Sequence, residues 1–124
     1  MRGEGYLTKS NQYALVYANG RSWVSSLVVM KTLPNGLALS RYGLSVSQRV
    51  GNAVTRNRVK RLFRQILRSK SLRPGWDIVF IARPLAANAD YAALEKSTDD
   101  LLSRAHLLET KDTVSRQRLG MGVL

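Results

Sequence analysis

The side chains of this sequence with the density and spacing to do chemistry are cations. Arg56, Arg58, Lys60, Arg61, Arg64 and Arg68 fall within residues 51–70, a stretch that contains no Asp or Glu. On a helical wheel at about 100° per residue, Val59, Leu62, Phe63, Ile66 and Leu67 gather on one stripe. Asn57, Arg61, Arg64 and Arg68 centre the opposite face, with Arg58 and Lys60 flanking it. Like charges three or four residues apart repel by a few tenths of a kcal/mol per pair. An ordinary solvated face interleaves Glu with its Lys. A face that keeps cations alone is matched to an anion, and the fork of a guanidinium fits phosphate.

Other chemistries lack their residues. His106 is the only histidine and there is no cysteine, so a two-histidine nuclease, a thiolate zinc site and a Cys nucleophile are all excluded. A lone His near a helix C-terminus serves packing or the helix dipole. The acids are scattered, and the adjacent Asp99 and Asp100 diverge on a helix and cannot share a metal. No glycine-rich phosphate loop is present. If the protein takes part in catalysis, its side chains do not carry the bond-breaking step.

The net charge is +12, and its distribution tells more than its total. Between Gly5 and Trp76 there are 13 Lys/Arg and no acid, while the remainder holds seven basic and eight acidic residues. One part of the chain is built for a polyanion: nucleic acid first, an anionic membrane surface second. At 124 residues and 44% hydrophobic content the chain predicts one domain with a core, residues 1–124, rather than a disordered tail. It shows no signal-peptide h-region and no apolar run long enough to span a bilayer, so the expectation is a cytoplasmic protein outside the membrane.

The elements that must position the cationic stripe read in order. Residues 1–7 look like a loose arm. Ser10 can cap a helix over 11–18 that stops at Gly20. Tyr13 and Tyr17 share one of its faces, either as core aromatics or as an open stacking surface. Residues 23–32 read as one strand, and Pro34-Asn35-Gly36 as a hairpin turn into a second strand over 37–47. The apolar residues of that second strand change parity, from Leu37 and Leu39 to Tyr42, Leu44 and Val46, which predicts a bulge or bend near Arg41. In 43–47 the other face is Gly43, Ser45 and Ser47, either an ordinary exposed sheet face or one small enough for a backbone or extended strand to lie close. Asn52 can cap the basic helix. Arg73-Pro74-Gly75 then turns into 76–82, a buried strand parallel to the earlier one across the helix. Asp90 can cap a last helix over 91–105, with Leu94, Leu101, Leu102 and Ala105 inward. From 109 to 124 the composition suggests a flexible tail.

Taken together, Gly43-Leu44-Ser45-Val46-Ser47, Val50-Gly51-Asn52-Ala53-Val54 and Arg56-Asn57-Arg58-Val59-Lys60-Arg61 strongly resemble the signature of the protein subunit of bacterial ribonuclease P. Tyr13 and Tyr17 fit an aromatic pair in that family's first helix, Asp77-Ile78-Val79 its third strand, and Arg104-Ala105-His106 the end of its last helix. The resemblance spans roughly residues 7–108. It implies an α+β fold, an α/β sandwich like the second domain of ribosomal protein S5, in the order α-β-β-(β)-α-β-α with a left-handed crossover through the basic helix, against the usual hand. It implies one protein bound to one ribonuclease P RNA through Arg56, Asn57, Arg58, Lys60, Arg61, Arg64 and Arg68. The single-stranded 5′ leader of precursor tRNA is expected in a cleft formed by Tyr13, Tyr17, Ser45 and Ser47. Mg²⁺ is expected at the catalytic centre of the RNA, not held by protein ligands alone. The sequence departs from the family in three places. Its first-helix aromatics are Tyr where Phe is more usual, Lys31 stands where many members carry Tyr, and Leu108 replaces a Tyr found in some. A structural RNA-binding protein of similar fold is the competing reading. A DNA recognition helix is not supported, because no helix sits just upstream to complete a helix-turn-helix.

Overall fold

The computed structural model describes residues 4–109. The centre of the fold is β5, Trp76–Ala82, in which five of seven residues are buried. A strand so continuously apolar must be covered on both faces and paired on both edges. On one edge it pairs parallel with β4, Ser40–Ser45, and on the other antiparallel with β3, Val28–Pro34. Outside these lie β1, Glu4–Tyr6, parallel to β4, and β2, Arg21–Val24, antiparallel to β3. The sheet order is β1-β4-β5-β3-β2.

Three helices complete this α+β architecture: α1, Ser10–Asn19; α2, Ala53–Arg68; and α3, Tyr91–Arg104. A 3-10 turn, Pro84–Asn88, links β5 to α3. One face of the sheet packs on α2 and α3. Met30, Tyr42, Ile78 and Phe80 meet Val59, Phe63, Ile66 and Leu67 of α2 and Leu94, Leu101 and Leu102 of α3, all fully buried. The Phe63 and Phe80 ring centroids are 6.0 Å apart. On the other face a smaller cluster joins Leu7, Val16 and Val79, flanked by Tyr13, Leu33 and Ile81. The parallel β4–α2–β5 unit and the caps Asn52 and Asp90 match the sequence reading; each cap's Oδ1 accepts an N–H three residues on, at 3.0 and 2.8 Å.

Five expectations are corrected. Residues 23–32 are not one strand: Ser25 turns the chain, its hydroxyl accepting from Val28 N–H at 3.1 Å, so β2 and β3 form the hairpin. Pro34-Asn35-Gly36 is not a hairpin turn, because β5 lies between β3 and β4. Asn35 instead closes a local turn, accepting from Leu37 N–H at 2.8 Å, with Gly36 at φ +70°. No bulge occurs at Arg41, which pairs in register with Asp77; Leu37 and Leu39 precede the strand, and this produces the parity change. The arm is not wholly loose, since Glu4–Tyr6 completes the sheet edge that β4 leaves open. At α1, Ser10 is the first helical residue and Lys9 the cap position, where Gln12 Oε1 accepts the N–H groups of Thr8 and Lys9. The expected tail, beyond Glu109, lies outside the described residues.

Candidate nucleic-acid interface

Burial of Val59, Phe63, Ile66 and Leu67 fixes the rotation of α2, so its opposite side faces outward. Asn57, Arg61, Arg64 and Arg68 are exposed, while Arg56, Arg58 and Lys60 are half-buried. Among the described residues no carboxylate lies within ion-pair distance of these cations. Arg58 is held differently from the rest. Its Nη1 donates to Ala87 O at 3.2 Å and its Nη2 to Ala89 O at 2.6 Å. Lys70, just past the helix, does pair with acids, lying 3.0 Å from Glu95 Oε2 and 3.1 Å from Asp99 Oδ1. Burial disfavours its charge, but the two carboxylates outweigh that and raise its pKa. The carboxylates of α3 thus neutralise the cation that joins the helices and leave the outward stripe uncompensated.

The second region is the sheet face under α1. Pleating puts three cross-strand rows on it: Arg41–Asp77–Leu33, Gly43–Val79–Lys31–Ser22, and Ser45–Ile81–Val29–Val24. The ten-residue α1 covers only part of this face. Tyr13 lies over Gly43, where any Cβ would sit 2.3 Å from its hydroxyl oxygen. Burial, with a smaller contribution from Tyr17, pushes the Tyr13 phenol up against an opposing backbone hydrogen bond at Leu44. Tyr17, one turn along, is 42% exposed, its ring centroid 6.5 Å from that of Tyr13. The two readings of the pair therefore divide: Tyr13 packs, and Tyr17 is open for stacking. Ser45 lies on the cleft floor. Ser47 does not share that strand face, because β4 has ended; it sits exposed in a turn, its Oγ accepting from Arg49 N–H at 3.3 Å.

Lys31, which the resemblance put where many members carry Tyr, lies on this same sheet face, its Nζ donating to Ser22 Oγ at 2.8 Å. One feature was not read from the sequence. Arg41 and Asp77 form a bidentate pair at 2.9 and 2.7 Å, and Asn35 donates to the same carboxylate at 2.9 Å. Asp77 raises the Arg41 pKa through that hydrogen bond, against burial. No spacing in the sequence links positions 35, 41 and 77. Among the described residues no three His, Cys, Asp or Glu converge as metal ligands, and no helix is long and apolar enough to cross a membrane.

An uncompensated cationic stripe on α2 and the exposed Tyr17 of α1, on opposite faces of the sheet, fit the class of α+β nucleic-acid-binding proteins. Comparison with known proteins makes the class particular. Residues 1–106 match the family model described as Ribonuclease P. A ribonuclease P protein component from Dehalococcoides mccartyi is 47% identical over 112 residues, covering 90% of this chain and 93% of that one. Another, from Caldanaerobacter subterraneus, is 42% identical, covering 86% and 93%. Among solved structures, a Staphylococcus aureus RNase P protein mutant superposes with a TM-score of 0.77 at 28% identity, covering 85% of this chain and 89% of that one. The Thermotoga maritima RNase P protein gives 0.74 at 28%, covering 80% and 96%. The chain belongs to the ribonuclease P protein family, whose members are the protein subunit of the ribonucleoprotein that removes the 5′ leader from precursor tRNA.

Proposed function

We propose that the two faces divide the work of this subunit. The exposed stripe of α2 binds the phosphates of ribonuclease P RNA through Arg56, Asn57, Lys60, Arg61, Arg64 and Arg68, with Arg58 beside them. The cleft between α1 and the sheet takes the single-stranded leader of precursor tRNA, stacking a base on Tyr17 above Ser45 and Lys31. The observation that carries this reading is the stripe without a carboxylate on it, on a helix whose back is locked in the core. A catalytic RNA and its substrate repel each other, and a cationic protein holding both relieves that repulsion. Five neutralised phosphates give a log–log salt slope of roughly −3.5 at about −0.7 each. We assign Mg²⁺ to the catalytic centre of the RNA, as the family's division of labour implies. One cationic stripe per chain suits one protein per RNA, and a tRNA-processing role suits the cytoplasm.

The test is cleavage of labelled precursor tRNA by a bacterial ribonuclease P RNA at low Mg²⁺. Adding the chain is expected to restore cleavage that the RNA alone performs only at higher Mg²⁺. No gain over RNA alone rejects the proposal.

A further inference from the structure

The hairpin tip that joins β2 to β3 is held from two other elements. Arg83, just past β5, donates from Nη1 to Ser25 O at 2.9 Å, and Arg104, at the end of α3, donates from Nη1 to Val24 O at 3.0 Å. The Ser25 and Ser97 hydroxyls are hydrogen-bonded to each other, which seats the tip on α3. Between the tip and α3 lies a hollow of about 420 Å³. Leu27 and Ala93 give it apolar walls, and Lys96, Ser97 and Asp100 line it from α3. That volume falls among ligand sites, about 300–1,000 Å³. Its charge is uneven. Asp100 is the one acidic residue lining it, among the described residues, and Arg104 lies 3.4 Å from that carboxylate. Among the described residues no carboxylate comes within ion-pair distance of Lys96 or Arg83, and both are exposed. Donor and acceptors sit side by side. Ser25 Oγ gives its proton to Val28 O at 3.0 Å, so Ser97 donates to Ser25 and keeps its own lone pairs. An ammonium next to acceptor oxygens suits a phosphate joined to a sugar hydroxyl, and the ribose 2′-OH is such a donor.

The hollow also continues the proposed leader cleft. The cross-strand row Ser45–Ile81–Val29–Val24 belongs to the sheet face under α1, and Val24, its last member, is 48% exposed. Ser25, the next residue, lines the hollow. The geometry points to a second nucleotide site: single-stranded leader that leaves the cleft over Val24 rounds the hairpin tip, sets a phosphate on Lys96 and turns its ribose to Ser97 and Asp100. The inference rests on the reading that the cleft takes the leader. It gives long leaders a contact that short ones lack.

The experiment is binding of precursor tRNA to enzyme reconstituted from the full chain and ribonuclease P RNA, under non-cleaving conditions. Leaders are lengthened one nucleotide at a time, with mature tRNA as the reference ligand. The parent is expected to gain affinity in two stages, one as the leader fills the cleft and one as it reaches α3. Lys96→Ala is expected to lose the second stage alone, about two- to fivefold for the longest leaders, and to lower their salt slope by about 0.7. Lys96→Arg keeps the charge and is expected to keep the stage. Deoxyribose in the added nucleotides is expected to weaken the second stage in the parent. Ala is at least as good a helix former as Lys, so the variant folds, and a thermal melt checks it. Tyr17→Ala is the control for the cleft and is expected to lose the first stage. A single stage in the parent, a Lys96→Ala loss equal at every leader length, or a second stage indifferent to Lys96 or to deoxyribose overturns the inference and leaves the cleft reading standing. If Tyr17→Ala loses neither stage, the cleft reading itself fails and takes this inference with it.

Discussion

A methyl group at Gly43 tests the cleft at its tightest point. Built on the existing backbone, it would lie 2.3 Å from the Tyr13 hydroxyl oxygen and 2.5 Å from Cζ. The ring packs against the cluster of Leu7, Val16 and Val79, and its hydroxyl approaches the Leu7 carbonyl at 3.5 Å, so relief requires Tyr13 to leave the sheet or α1 to rise. Overpacking of this kind costs about 1–3 kcal/mol. The backbone itself does not object: Gly43 lacks a positive φ, and in a strand Ala is favoured over Gly by about 0.5–1 kcal/mol. Gly43→Ala is therefore expected to lose about 1–2 kcal/mol in the parent and to gain about 0.5–1 kcal/mol in a Tyr13→Ala background, a reversal of sign. Urea unfolding of the four chains, with m unchanged, reads the cycle. The same substitution should weaken binding of leader-bearing precursor tRNA more than that of mature tRNA, since the displaced ring invades the cleft. An equal loss in both backgrounds refutes the argument, because the methyl would then be meeting something other than Tyr13.

Tyr17→Ala should weaken binding of leader-bearing precursor by about 1–3 kcal/mol, the value of one base stacked on an aromatic ring, and leave mature tRNA unchanged; equal weakening of both would place Tyr17 outside the cleft. Asp77→Ala strands the Arg41 guanidinium and the Asn35 amide together, and should cost about 2–4 kcal/mol in urea unfolding, discounted because the Arg41 side chain is 23% exposed. A loss below about 1 kcal/mol would mean that the pair adds little to its strands. For Lys70 the folded pKa lies above the unfolded one, so its contribution is whole below the unfolded value and disappears as pH rises through the folded value. Lys70→Met should therefore be less stable at neutral pH by about 0.5–1.5 kcal/mol and fall less steeply on the alkaline limb; parallel alkaline limbs for the two chains would contradict this.

The parts of this fold legible in the sequence are those set by neighbours in the chain. The stripe of Val59, Phe63, Ile66 and Leu67 and the cap at Asn52 are local, and so are the apolar run of β5 and the cap at Asp90. Strand partners are not local. Nothing within residues 34–36 says that β5 will enter between β3 and β4, and nothing in Glu-Gly-Tyr marks β1 except the open edge that it finds. The division of Tyr13 from Tyr17 has the same origin, because only the sheet decides which of two residues on one helix face meets Gly43. The cationic stripe escaped this limit because charge and burial lie on one helix, and their magnitudes explain why the arrangement holds. Five pairs of cations stand three or four apart between Arg56 and Arg68, a repulsion of roughly 1–2.5 kcal/mol in all. Burial of Val59, Phe63, Ile66 and Leu67 contributes about 1.5–3 kcal/mol each, several times more. The helix therefore forms and keeps its rotation in the free protein. On the proposed function, an anionic partner then meets a stripe already aligned, and relieving the repulsion adds to binding instead of being needed for folding.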